Sequence, residues 1–279
     1  MPASVLRQIH GAIGNLDPRE VRREAEKPFR VGLLAGDEQG YRQLTRFLLP
    51  DGTSERKAEQ AVERMVRVEQ AADCERCDFG LVADQDPAPS HFYPLDQAVE
   101  RFVDRHEELW IPGARCFPAF RNRVVDRLIA KVARENAVFA LATALPNVAP
   151  FLGLAWGVGE FASDTAFLTI NQIRLAFLIA AASDSPVGYL EQQGQVASIV
   201  TSAFGWRALA RELVSKIPLG GGIVPKAAVA FAGTYVVGMG LDRYQRLGRG
   251  LTAREKRELY ARALERGRQL VHEILERRH

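Results

Sequence analysis

Asn136 to Gly159, NAVFALATALPNVAPFLGLAWGVG, runs for about 24 residues without a charged side chain, and its reading decides the fold. Length alone would admit a membrane span, which needs about 20 apolar residues. Pro146 and Pro150 interrupt the run, and Gly153, Gly157 and Gly159 follow them. A proline inside a helix removes a donor and collides with the preceding turn, so the stretch reads as two helices meeting at a proline-bounded tip.

Outward from the tip, both flanks are helical in pattern. On the N-terminal side, Phe117 to Leu145 places Val124, Leu128 and Val132 with Val125 and Ile129 along one arc. Arg123, Arg127, Lys131 and Arg134 are grouped beside that arc. Such a basic face is either solvated or turned to an anionic membrane surface. On the C-terminal side, Phe151 to Ser183 continues as a long apolar helix closed by Asp184-Ser185-Pro186. Between Ala137 and Ser183 the only charges are Glu160, Asp164 and Arg174. Glu160, Asp164 and Asn171 share one helical face, whereas Gln172 and Arg174 lie off it. A buried carboxylate is costly unless paired, so these five residues form a candidate polar network that fixes how the helices pack, with Arg207, Arg211 or Lys226 as partners. The alternative is a site at a helix interface or facing a membrane.

The plan then recurs. Val187 to Ile217 is predicted helical, Pro218 to Pro225 makes a second proline-bounded tip, and Lys226 to Leu247 returns. Thr252 and Glu255 have the spacing of a capping box opening a charged helix to about Arg277, with Tyr260, Leu264, Val271, Ile274 and Leu275 along one stripe. Ahead of all this, Val5 to Ile13 forms a short helix and Asp17-Pro18 opens another that runs to Glu26. Phe29 to Ala35 is β-prone and ends at Gly36, and Tyr41 to Leu49 is helical. A polar helix covers Glu55 to Glu69, a second β-prone run covers Cys77 to Ala83, and Asp96 to Leu109 is helical. Two strands are few for an independent sheet. With Trp110-Ile111-Pro112-Gly113 as boundary, residues 1–112 form a small α/β portion and 113–279 a helical domain. The expected fold is mainly α: two tandem long helical hairpins plus a C-terminal helix, with the small α/β portion in front.

The chain of 279 residues is 47% hydrophobic, enough for a real core. Its 37 basic and 34 acidic residues are too evenly balanced to wrap nucleic acid, so no nucleic-acid partner is expected. Three cysteines, an odd number, imply no closed disulfide framework, and a start without a long apolar segment points to a reducing cytoplasm.

Gly36-Asp37-Glu38-Gln39-Gly40-Tyr41-Arg42 follows a strand, the place of a phosphate-binding loop. Tyr41 and Arg42 stand where lysine and Ser/Thr are needed, the loop is one residue short, and Asp37 and Glu38 repel phosphates. No Asn-Lys-x-Asp base-reading motif follows. Asp78-Phe79-Gly80 lacks the partner motifs of a kinase magnesium site. Cys74-Glu75-Arg76-Cys77 has a metal-like spacing, but His91, His106 and Cys116 do not complete any common zinc pattern, so two ordinary thiols are expected. No catalytic residue, cofactor or metal ligand is assigned.

Residues from about Arg121 to Gly267 resemble the bacterial GTPase-associated helical domain of unknown function, found alone, behind Era-like GTPase domains and in some inner-membrane proteins. The likeness rests on ALPNVAP, on Asp164 with Asn171-Gln172-Ile173-Arg174, on IPLGGG, and on AGTYVVGMGLDRYQRLG with the charged closing helix. It implies that the N-terminal portion is a shrunken, degenerate GTPase-like half. The expected function is a non-enzymatic interaction or regulatory module, membrane-associated or docked on a GTPase-like protein partner. The alternatives are an integral membrane or pore-like element and a residual nucleotide hydrolase.

Overall fold

A computed structural model describes residues 16–71, 74, 77–83, 90–144, 164–199 and 223–276. The protein is mainly α, with a small parallel sheet in its N-terminal part. It divides into two compact units, one of Arg19–Arg127 with Ala180–Pro186, the other of Met1–Pro18, Leu128–Ile179 and Val187–His279.

In the first unit, helix α1 (Pro18–Ala25) precedes strand β1 (Val31–Leu34), helices α2 (Glu38–Leu48) and α3 (Glu55–Val62), and strand β2 (Met65–Val68). Strands β3 (Phe79–Val82) and β4 (Phe92–Pro94) lead to α4 (Leu95–Arg105), a 3₁₀ turn at Glu107–Leu109, and α5 (Trp110–Cys116). The sheet order is β2-β1-β3-β4, with every pair parallel. All residues of β1 and β3 are buried, as expected for central parallel strands covered on both faces. Two of the four strands differ from expectation. The polar helix ends at Val62 rather than Glu69, and its last part is β2. Strand β4 has three residues and finishes in Pro94, which an edge position tolerates because one side of an edge strand needs no donor. Both are edge strands, which carry the weakest patterning.

An aromatic core fills this unit. Phe102 stacks on Phe120 at 4.3 Å, Phe79 lies 5.0 Å from Phe102, and Phe29 meets Phe117 edge-on at 5.9 Å. Side chains of this size dominate burial energetics, about 3–5 kcal/mol for each truncation to alanine.

Helix α6 (Pro118–Ala144) supplies its residues from Leu128 onward to the second unit, together with α7 (Asp164–Ala182) up to Ile179, α8 (Ile223–Leu247) and α9 (Ala253–Glu276). Residues 188–192 form bends and turns, so the helix expected from Val187 starts at 193. Small residues let these helices approach closely. Ala133, Ala137 and Ala140 of α6 pack with Ala227, Ala230 and Phe231 of α8 and Val271 of α9. Ala228, Ala232 and Val236 pack with Tyr260, Ala263 and Leu264. At Gly267 a Cβ would sit 3.0 Å from the Ala228 carbonyl oxygen, so α8 and α9 touch backbone to backbone there.

The expected capping box is formed. Thr252 N donates to Glu255 Oε2 at 2.8 Å and Glu255 N donates to Thr252 Oγ1 at 3.3 Å. The tip at Pro146 to Pro150, Glu160, and residues 218–222 of the second tip lie outside the described residues. Among the described residues, no helix is long and apolar enough to cross a membrane.

Candidate functional site

The carboxyl ends of β1 and β3 form the place where an open parallel sheet of this order takes a ligand, because the connections from these two neighbours leave in opposite directions. The segment expected there as a glycine-bounded loop is instead a helix start. Asp37 is the N-cap of α2, with extended backbone, and its Oδ1 accepts from Gly40 N at 2.7 Å. An amide that a phosphate would need is thus taken by the chain's own carboxylate. Glu38, in the first turn, pairs with Arg67 of β2 at 2.9 Å, and the Arg67 guanidinium lies 4.8 Å over the Tyr41 ring. In the sequence Asp37 reads as a repulsive charge. An N-cap aspartate directly ahead of a helical pattern is the signal for its real role.

Asp78 of the kinase-like tripeptide has a structural role. Its Oδ2 accepts from Arg30 N at 2.8 Å, and its own N donates back to Arg30 O at 2.9 Å. Phe79 is core, and Gly80 lies under the Phe92 ring. Cys74 and Cys77 are joined as a disulfide, which corrects the expectation of two ordinary thiols. Among the described residues, no group of three or more His, Cys, Asp or Glu side chains is placed to hold a metal ion.

The polar network of the second unit is real but has other partners than expected. Asn136 Nδ2 donates to Thr234 Oγ1 at 2.6 Å, Asn171 Nδ2 donates to Asn136 Oδ1 at 2.8 Å, and Gln172 Nε2 donates to Thr234 Oγ1 at 3.2 Å. Three helices are tied together by these amides and one hydroxyl, all buried. Asn171 and Gln172 point to α6 and α8 respectively, so both contribute although they lie on different faces. Arg174 forms a half-exposed pair with Glu135 of α6 at 3.3 Å. Lys226 instead donates to Thr143 Oγ1 at 3.3 Å. Arg207 and Arg211, like Glu160, lie outside the described residues, and so does the side chain of Asp164.

The basic face of α6 is only partly what its sequence suggests. Arg123 Nη2 donates to Glu100 Oε2 at 2.9 Å, and Arg127 Nη2 donates to Asp104 Oδ1 at 2.5 Å, both carboxylates belonging to α4. Lys131 and Arg134 are exposed. Arg123 and Arg127 are therefore already matched to acidic residues at i and i+4 of a neighbouring helix.

A cluster that sequence reasoning missed lies at the end of α7. Asp184 accepts from Lys57 Nζ and from Arg115 Nε, each at 3.1 Å, and Arg121 Nε donates to Ala182 O at 3.2 Å. Lys57, Arg115 and Asp184 border a cavity of about 260 Å³ that also touches Phe29, Arg64 and Cys116. Burial pushes the Cys116 thiol up to about 11, so it is protonated and a poor nucleophile near neutrality. Burial would raise the Asp184 carboxyl, but the bonds from Lys57 and Arg115 take it below the usual carboxylate range. Its charge is matched by Lys57 and Arg115. Asp184 follows Lys57 by 127 positions, a pairing no local pattern reveals.

Comparison with known proteins finds no matching family, no matching curated protein and no matching solved structure.

Proposed function

We propose that the chain is a non-enzymatic interaction or regulatory module that works on the cytoplasmic side and docks on a protein partner of GTPase-like type. Its relation to the GTPase-associated helical domain belongs to this reading. The observation that carries it is the Asp37 carboxylate on Gly40 N at 2.7 Å, which occupies the anion position at the end of β1. With Glu38 and Arg67 closed on each other beside it, a nucleotide's phosphates would meet two carboxylates and no lysine. Such a sheet supports a scaffold role better than a hydrolase.

Commitment of Arg123 and Arg127 to Glu100 and Asp104 favours a protein partner over direct adhesion to anionic lipid. Titration calorimetry with GTP and with ATP, each with magnesium, is expected to show no binding. A Kd below about 10 μM for either overturns the reading. Affinity capture on the full chain is expected to enrich a protein with an intact nucleotide-binding loop, and failure to do so removes the partner assignment. Flotation with anionic liposomes at low salt is expected to leave the protein at the bottom of the gradient.

A further inference from the structure

We propose that Cys74 and Cys77 form a reversible thiol–disulfide exchange site on the face of the parallel sheet, with a small dithiol as co-reactant. This stands apart from the partner-docking reading, since it rests on different residues. The bond links positions three apart, with Cα atoms 5.4 Å apart. A loop that short removes, when closed, less than half of the chain entropy that a loop of about 100 residues would, so cross-linking the unfolded state is a weaker reason for the bond here than in a long loop. Backbone hydrogen bonds that do not involve the sulfurs also hold the two cysteines together. Cys74 N donates to Ala71 O at 3.3 Å, and Cys77 N donates to Cys74 O at 3.2 Å. The dithiol form therefore keeps both sulfurs adjacent, ready to close again.

The sheet is shaped to receive them. Gly32 lies in the middle of β1, and a Cβ there would collide with Cys74 Sγ and come within 3.1 Å of Cys77 Sγ. Every other residue of β1 carries an aliphatic side chain, so the strand is bare where the sulfurs rest. Cys74 leans on the cluster of Leu34, Val68, Val82 and Phe92, while both cysteines remain half-exposed. Cys116 has the same intermediate exposure but is a single free thiol bordering the cavity beside Asp184, where burial keeps it neutral. Among the described cysteines the pair, not Cys116, can cycle between dithiol and disulfide.

The exchange runs by attack of the dithiol's thiolate on one Sγ, which breaks the Cys74–Cys77 bond and forms a mixed disulfide. The displaced cysteine thiolate takes a proton from water. The second thiol of the co-reactant then attacks the mixed disulfide, releasing the other cysteine, which is protonated in turn, and leaving the co-reactant as its cyclic disulfide. Two electrons and two protons have entered the protein, and the reverse steps return them.

The test uses the full chain carrying Cys116→Ser, equilibrated with dithiothreitol at set ratios of reduced to oxidised form, then alkylated and weighed. The expected result is a single reversible transition from no alkylated cysteines to two, with unchanged far-UV circular dichroism. A pair that never oxidises, that reduces only in denaturant, or whose reduction unfolds the chain overturns the proposal. Gly32→Ala, read the same way, is expected to shift the half-oxidation ratio at least tenfold towards the dithiol. An unshifted ratio overturns the assignment of the sheet face to the site.

Discussion

Arg115 Nε lies 3.1 Å from Asp184 Oδ1, and Lys57 Nζ lies 3.1 Å from Asp184 Oδ2, so one carboxylate holds two cations from helices α3 and α5. Asp184 does this from a left-handed backbone, φ 59°, at the position that ends α7, with Ser185 N bonded to Ala180 O and Asp184 N to Ala181 O. Glycine is the usual residue there, and a side chain in that conformation costs about 1 kcal/mol. The fork explains why an aspartate stands in a glycine's place. Asp184→Asn keeps the shape and removes the charge, and is expected to lose about 1 kcal/mol after allowing for solvent screening. Asp184→Gly is expected to lose less, because its backbone relaxes. Urea denaturation orders the three proteins; an Asn variant as stable as the parent shows that the fork contributes nothing.

Within the second unit the buried and half-exposed polar residues should separate clearly. Asn136→Ala removes the bonds to Asn171 and to Thr234, leaving the Gln172–Thr234 bond in place, and is expected to cost about 2–3 kcal/mol. Arg174→Ala breaks a pair whose side chains are 36% and 35% exposed, so its cost is expected to stay below about 1 kcal/mol. Thermal melts of both variants decide it, and equal losses contradict this ranking.

Acid should act in two windows. Burial lowers His106 from its ordinary value of 6.5, so the folded state keeps the ring neutral while the unfolded chain takes up a proton. Stability is then complete above pH 6.5 and falls as pH drops below it. His106→Asn is expected to flatten the stability profile just below pH 6.5. Glu255 is held near 2, first by the Thr252 backbone N–H and then by Arg243, against an ordinary 4.5. Its contribution is present above 4.5 and lost as pH falls towards 2, and Glu255→Gln is expected to remove that lower step.

Gly267 sets helix propensity against contact. Alanine is better than glycine in a helix by about 1 kcal/mol. Its Cβ would lie 3.0 Å from the Ala228 carbonyl oxygen and 3.1 Å from the Ala228 Cα, backbone atoms that cannot swing aside. Gly267→Ala is expected to lower the melting temperature, and Gly267→Val to lower it further, with about 1–3 kcal/mol lost to overpacking. A higher melting temperature for the alanine variant means that α8 and α9 separate freely.

The long helices are legible in the sequence because they carry dense local signals. Phe117 to Leu145 becomes Pro118–Ala144, and Lys226 to Leu247 becomes Ile223–Leu247, since apolar periodicity over twenty or more residues leaves little room for another period. The capping box at Thr252 is readable for the same reason, with its donors and acceptors three residues apart. Strands β2 and β4 are not, because edge strands of four and three residues show no alternation. In the candidate sites, Asn171, Gln172 and Arg174 stand out as polar residues in an apolar helix, whereas their partners Asn136, Thr234 and Glu135 look ordinary in their own segments. Asp37 stands out for its charge, but its role follows from geometry, a carboxylate one hydrogen bond from Gly40 N.

The buried amides also impose an order in time. Asn136 and Thr234 are 98 positions apart, Gln172 and Thr234 62, and Asn136 and Asn171 35. At a synthesis rate of about 5–20 residues per second Thr234 follows Gln172 by several seconds, so the hydroxyl that both Asn136 and Gln172 use is the last member of the network to be made. Before it exists Asn136 Nδ2 and Gln172 Nε2 lack their acceptor, and Thr234 is the residue that completes the network.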